Sequence, residues 1–239
     1  MKFTIWTPLP ESAPHAGVKA LWILGRALEA QGHQVAMWSG DVMPECDVLI
    51  LPERTAPATT HPRTVRWVLL HNGTRRQGER VYTWSRDYEP AAPILNVPVI
   101  DLDELKPARR VRHGIAYWVG KGSPMEWRTG EPTPDARIIT YDTPRAELVE
   151  ILKTSTMLVS FDAHSTVNTE ATLCGTPVRI PLPRPVGFND DDDPGFMWSD
   201  CDRRSELANA RTVARRRNAQ AQETIYAFVE DMEAWTFQS

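Results

Sequence analysis

Cysteine is scarce in this chain. The three present, Cys46, Cys174 and Cys201, are far apart and form no CxxC pair. Such spacing gives no zinc signature and no disulfide framework, and it suits a reducing, cytoplasmic setting. Long apolar runs are missing too. Nothing approaches the ~20 residues of a membrane-spanning helix, so no membrane insertion is expected. The opening MKFTIWTPLPES lacks the apolar stretch of a signal peptide and reads as a first strand. There is no basic surplus: the net charge of -4 does not advertise a nucleic-acid binder, although local basic patches remain open. Internal repeats and low-complexity tracts are absent.

What is present is material for a core and a regular alternation of elements. Hydrophobic residues make up 41% and nine tryptophans contribute, enough for one large domain or two small ones in 239 residues. Phe3 to Trp6 is a short apolar strand. Gly17 to Gln31 carries Val18, Leu21, Trp22, Gly25 and Leu28 at helical spacing, and Gly32-His33 closes it. Gln34 to Trp38, Val48 to Leu51, Val65 to Leu70, Val81 to Trp84 and Ile94 to Ile100 read as further strands. Strands alternating with helices predict a parallel, Rossmann-like α/β domain over residues 1–105.

Asp101 to Arg112 is charged, contains Pro107 and reads as a linker. Residues 106–221 then repeat the pattern. Gly114 to Val119 is a strand running into Gly120-Lys121-Gly122. Arg137 to Tyr141 is another, and Pro144 to Lys153 a helix with proline in its first turn. Two closing helices are expected, Arg203 to Ala221 and Glu223 to Trp235. The second, within residues 222–239, has an apolar stripe of Ile225, Phe228, Val229, Met232 and Trp235.

The most telling stretch is Phe161 to Pro177, FDAHSTVNTEATLCGTP. It follows the apolar run Met157 to Val159 and precedes Val178 to Ile180. Strand, polar turn, short helix, Gly-Thr-Pro stop and strand make a βαβ unit whose helix start suits an anion. Ser165, Thr166 and Asn168 can donate to a diphosphate there; ordinary helix capping is the other reading. Glu170, an acceptor-only side chain a turn inside, suits the two hydroxyls of a ribose. Lys121, between two glycines after a strand, can reach a diphosphate; the alternative is a surface lysine in a turn. Tyr141, at a strand end, either stacks on a base or belongs to the core.

Asp162 and Glu170 are separated by seven residues, and Glu170-Ala171 precedes Gly175-Thr176-Pro177-Val178. These residues resemble the acidic-x7-Glu signature and the E-A-x-x-x-G-x-P-V segment of GT-B glycosyltransferases of the retaining, glycogen-synthase-like branch. Asp162 stands where that branch usually has Glu, and the Arg that normally precedes the lysine is missing before Lys121. The Pro-rich loop ahead of Gly17, and the helix closing at Gly32-His33-Gln34-Val35, are similar to the amino-terminal domain of that fold. The wording SFDAHSTVNTEATLCGTPV also resembles small bacteriophage glycosyltransferases.

The resemblance implies two small Rossmann-like domains with a cleft between them, and a terminal helix crossing back to the first. It implies a nucleotide-diphosphate-sugar donor on the second domain, with no cofactor and no metal; the acidic run Asp190 to Asp193 reads as a solvated loop. Catalytic roles fall to His71, Lys121 and Asp162. Donor binding falls to Gly17, Lys121, Tyr141, Ser165, Thr166, Asn168 and Glu170. The acceptor side falls to His15, Arg75 and Arg76. The acceptor stays open among a hydroxymethylated base in phage DNA (in the host cytoplasm), a surface glycan and a small metabolite. A non-catalytic nucleotide-binding module and a sugar-nucleotide epimerase are the alternatives in other classes.

Overall fold

The computed structural model describes residues 1–11, 15–53, 59–69, 77–86, 88–120, 135–163, 165–183, 196–199 and 207–237. Its elements run β1 (Lys2–Trp6), α1 (Ala16–Ala30), β2 (Gln34–Trp38), β3 (Val48–Pro52), β4 (Thr64–Val68) and β5 (Arg80–Thr83). They continue with β6 (Ile115–Trp118), β7 (Arg137–Ile139), α2 (Arg145–Thr154), β8 (Met157–Ser160), α3 (Thr166–Leu173), β9 (Val178–Ile180), β10 (Met197–Trp198) and α4 (Leu207–Phe237). The strands form two five-stranded sheets, ordered β2-β1-β3-β4-β5 and β10-β9-β8-β6-β7. Counted within its own half, the second order is the first read from the opposite edge. The chain is therefore α/β, with two Rossmann-like halves of one topology, as the sequence predicts.

Met1–Val99 and Arg217–Ser239 make one compact unit, and Ile100–Arg216 the other. These breaks differ from the 105/106 and 221/222 boundaries read from the sequence. The segment Asp101 to Arg112 is no free linker but part of the second unit. Leu105 is fully buried, Glu104 pairs with Arg145, and Arg110 pairs with Glu150.

In the first unit, Leu21, Leu24 and Leu28 of α1 pack against Phe3, Ile5, Val48, Ile50, Val65 and Trp67. Ile225, Phe228, Val229 and Met232 of α4 join the same core. Each such side chain, fully buried, contributes about 1.5–3 kcal/mol by leaving water. The opposite sheet face holds a smaller cluster of Trp38, Leu49 and Leu51. It also holds a buried ion pair. Arg66 donates from Nε to Glu79 at 3.0 Å, from Nη2 at 2.5 Å, and from Nη1 to the Pro52 carbonyl at 2.6 Å.

The second unit is tied by Arg112. It donates to the carbonyls of Ser155 (3.0 Å) and Cys174 (2.7 Å), at the ends of α2 and α3, and to the Thr176 hydroxyl. A cation serves such ends well, because unpaired carbonyls and negative dipole charge gather there. Gly175 has φ +80, and a Cβ on it would lie 2.9 Å from Arg112 Nη2. That explains the glycine of Gly-Thr-Pro.

Two expectations are corrected. Ile94 to Ile100 is not a strand: only Ile94 forms a bridge, to Thr83. Pro98 has no N–H to give, and Asn96 N–H bonds instead to the Thr224 hydroxyl at 3.0 Å. The two closing helices are one; Leu207 to Phe237 contains no glycine or proline to interrupt it. The predicted start at Arg203 lies outside the described residues. The short β10 beside β9 went unforeseen. Among the described residues, no helix is long and apolar enough to cross a membrane.

The Arg66–Glu79 pair sets a measurable expectation. Side-chain exposure is 4% and 6%, so removing one partner strands a charge in the interior. Glu79→Ala should cost about 3–5 kcal/mol in urea unfolding, whereas an apolar replacement of both partners should recover most of it. A loss below about 1 kcal/mol for Glu79→Ala contradicts the pairing.

Candidate functional site

In a parallel sheet of this order, the crevice opens outside the carboxyl ends of the two strands whose connections leave in opposite directions. In the second unit these are β6 and β8. The chain after β6 is Val119-Gly120, and after β8 it is Phe161-Asp162. Phe161 N–H bonds to the Trp118 carbonyl at 2.9 Å, which draws the two exits together. Gly120 has φ +51, and a Cβ there would lie 2.5 Å from Asp162 Oδ2 and 2.7 Å from Trp118 Nε1. Only glycine lets the backbone lie this close to the carboxylate.

Tyr141 follows β7 at the same edge. Its ring meets that of Trp118 edge to face, with centroids 5.0 Å apart. Burial, and then the nearby Asp162 charge, raise its phenol pKa above the ordinary value. Trp118, Gly120, Tyr141 and Asp162 thus converge on one point. Lys121 follows Gly120 directly but lies outside the described residues.

Along α3 the roles divide. Ser165 caps the helix, its hydroxyl accepting from Val167 N–H at 3.3 Å, and Thr166 opens it. Asn168 is fully buried, and its amide donates to the Asp162 carbonyl at 2.8 Å and that of Ala163 at 3.4 Å. Its amide thus braces the loop that carries Asp162.

Glu170 is also buried, with side-chain exposure of 8%. Arg145 Nη1 donates to Glu170 Oε1 and Oε2, both at 2.8 Å. The rest of the same guanidinium turns to Glu104, with Nε at 3.1 Å and Nη2 at 2.5 Å from Oε2. Burial works to lower the Arg145 pKa, but the two carboxylates outweigh it and hold the guanidinium firmly charged. Arg145 and Glu104 escaped the sequence reading. They lie 25 and 66 positions before Glu170, with no spacing to link them.

The first unit places the remaining described residues at its own β1/β3 switch point. His15 precedes α1 with extended backbone and makes no side-chain capping bond. Gly17 sits in the first turn of α1, and a Cβ on it would meet only Leu69 Cδ1, at an ordinary 3.7 Å. Packing in the described structure thus does not demand a glycine there. Glu53, buried after β3, accepts from Leu69 N–H at 2.8 Å; it too was not singled out from the sequence. His71, Arg75, Arg76, His164 and Asp190 to Asp193 lie outside the described residues. Among those described, no three His, Cys, Asp or Glu side chains gather as a metal site would require.

No family model and no curated protein sequence matches the chain. Solved structures do. AviGT4, a glycosyltransferase involved in avilamycin A biosynthesis, is similar with a TM-score of 0.59 and 14% identity. The match covers 100% of this chain and 98% of that one. An alpha-glucosyltransferase in complex with UDP and a 13-mer DNA containing a central A:G mismatch gives 0.49 at 12% identity over 95% of each chain. The alpha-glucosyltransferase in complex with UDP and a 13-mer DNA containing an HMU base gives 0.46 at 13% over 100% of each. At such identity the likeness to AviGT4 establishes a shared fold.

Gly120 offers a direct check on the site's geometry. Gly120→Ala should lose at least about 1–2 kcal/mol from its left-handed backbone alone, and it must push Asp162 aside. Gly40→Ala is the control. A Cβ there meets nothing within 4 Å, so its unfolding midpoint should stay within about 0.5 kcal/mol of the parent. Equal effects of the two substitutions contradict the close approach of Gly120 to Asp162.

Proposed function

We propose that the chain is a glycosyltransferase that moves a sugar from a nucleotide-diphosphate sugar to an acceptor hydroxyl, with the donor held by the second unit. The observation that carries this is the meeting of Trp118, Gly120, Tyr141 and Asp162 at the β6/β8 switch point, beside a Ser165-capped helix that bears a buried Glu170. The fold shared with AviGT4, itself a glycosyltransferase, supports the same reading.

The chemistry follows from the residue types. Backbone N–H groups at the start of α3, with the Ser165 and Thr166 hydroxyls, suit the diphosphate. Lys121, next to Gly120, supplies a cation whose worth grows as charge develops on the leaving group. This division of labour calls for no metal. Glu170 accepts from the ribose hydroxyls, Tyr141 stacks on the base, and Asp162 bonds a sugar hydroxyl. To Gly17, which carries no Cβ at the start of α1, the reading assigns a further donor contact. To His71 the reading assigns the steadying of the transferred proton.

In the step itself, the bond from the anomeric carbon to the diphosphate oxygen breaks. A bond to the acceptor oxygen forms on the same face, retaining configuration, and the acceptor's proton passes to the departing diphosphate. The acceptor we propose is a hydroxymethylated base in DNA, with His15, Arg75 and Arg76 on its side. The likeness of residues 160–178 to small phage glycosyltransferases supports it. A glycan or a small metabolite is the other acceptor class.

Four measurements test this. In a thermal-shift panel of nucleotides and nucleotide sugars, a diphosphate form should raise the melting temperature by mass action. With a duplex containing hydroxymethylated bases, a sugar-sized mass gain absent from plain DNA is expected. Binding to this duplex should weaken as salt rises. Donor hydrolysis without a gain points to the other acceptors; nucleotide binding without hydrolysis or transfer points to a non-catalytic module. Lys121→Ala should lower turnover far more than melting temperature, and full activity in that variant removes the lysine from the mechanism.

A further inference from the structure

Glu170 poses a physical problem that its neighbours solve. A buried carboxylate without a partner either protonates or destabilises the fold. Arg145 answers with one nitrogen, Nη1, which sits 2.8 Å from both carboxylate oxygens. A side-on fork would bring two nitrogens to the carboxylate; this contact brings one. An ionised carboxylate has about four lone-pair sites. Nη1 engages each oxygen once, which leaves each oxygen further capacity, enough for the two hydroxyls of a ribose.

The remaining guanidinium nitrogens, Nε and Nη2, are held by Glu104. Arg145 is therefore fixed from the side opposite Glu170. Three elements meet through it: the segment entering the second unit, the first residue of α2, and α3. A lysine has no planar fork with which to reach both carboxylates in this way.

From this we infer that Arg145, anchored by Glu104, is the positioning residue that holds Glu170 oriented to accept the 2′- and 3′-hydroxyls of a ribonucleoside diphosphate. The inference rests on the proposed donor site and deepens it. Arg145 itself touches no nucleotide; it acts through Glu170. Its effect belongs to ribose recognition and falls on donor affinity more than on turnover.

The test compares ADP, GDP and UDP with their 2′-deoxy forms by calorimetry, on the whole chain. The wild-type protein should bind its preferred ribonucleotide about ten-fold or more tightly than the deoxy form, the share of a hydrogen bond to a charged acceptor. In Arg145→Gln that preference should fall to near unity, while affinity for the deoxy form changes little. Arg145→Lys should not restore it. Should Arg145→Gln fail to fold, Glu104→Gln decides. It leaves Glu170 paired but frees the guanidinium on one side, and should cut the preference by a few fold. Folded variants that keep the wild-type preference overturn the inference and leave the donor site standing. A wild-type protein that binds nucleotide without preferring ribose overturns the diol role of Glu170, and this inference with it. No nucleotide binding at all overturns the proposed function instead.

Discussion

Parallel pairing is the constraint on which the rest of this structure depends. Every strand pairing among the described residues is parallel in both sheets. Each strand must therefore be followed by a crossover, and the residues that leave the strands all emerge at one edge of their sheet. With the order 2-1-3-4-5, two of these exits diverge and leave a gap. In the second unit Gly120 and Asp162 occupy the two exits, and the start of α3 follows. Chemistry collects there because connectivity sends polar turns to that edge. The same order in the first unit brings Thr7, His15 and Glu53 to an equivalent edge, where the sequence reading had named, among the described residues, His15 and Gly17.

Each unit holds an ion pair with a buried acid, Arg66 with Glu79 and Arg145 with Glu170. Such pairs are a weak source of stability, because desolvation offsets most of the attraction. Their physical difference is instructive. Arg66 bonds to Glu79 and the Pro52 carbonyl, all within one sheet and its connections, and the ionic groups are closed off. Arg145 is a third exposed and shared between two acids on separate segments. The first has the character of a fastening. The second leaves one of its acids with capacity to accept more.

Most strands were legible because their signal is local. Val48 to Leu51 and Met157 to Val159 are apolar runs bounded by turn residues, and strands covered on both faces take that form. Gly-Thr-Pro was legible as a helix stop, though not its cause, which is Arg112 reaching back 63 positions from Gly175. Ile94 to Ile100 misled because its branched residues outweighed Pro98 in the pattern, while in the structure the missing N–H decides. The site was half legible. Glu170, Asp162 and Tyr141 stand in a readable motif or at a readable strand end. The bracing of the Asp162 loop by Asn168 was not legible, because capping, ligand-donating and loop-bracing residues share one chemistry. Arg145 and Glu104 were silent, since a guanidinium at a helix start and an acid in a charged segment look like surface residues until the fold joins them.

The discontinuity of the first unit bears on how the protein is made. Phe228 lies against Phe3 and Tyr82, with ring centroids 6.1 and 4.9 Å away, yet the ribosome reaches it only after translating the whole second unit. Until then the sheet face lined by Phe3, Val65 and Tyr82 lacks the cover that Ile225, Phe228 and Met232 supply. The first unit's core therefore cannot be completed until α4 has been made, whereas the second unit is contiguous in sequence. A nascent chain stalled before α4 would be a natural client for chaperones, and residues 1–99 expressed alone would lack part of their own interior.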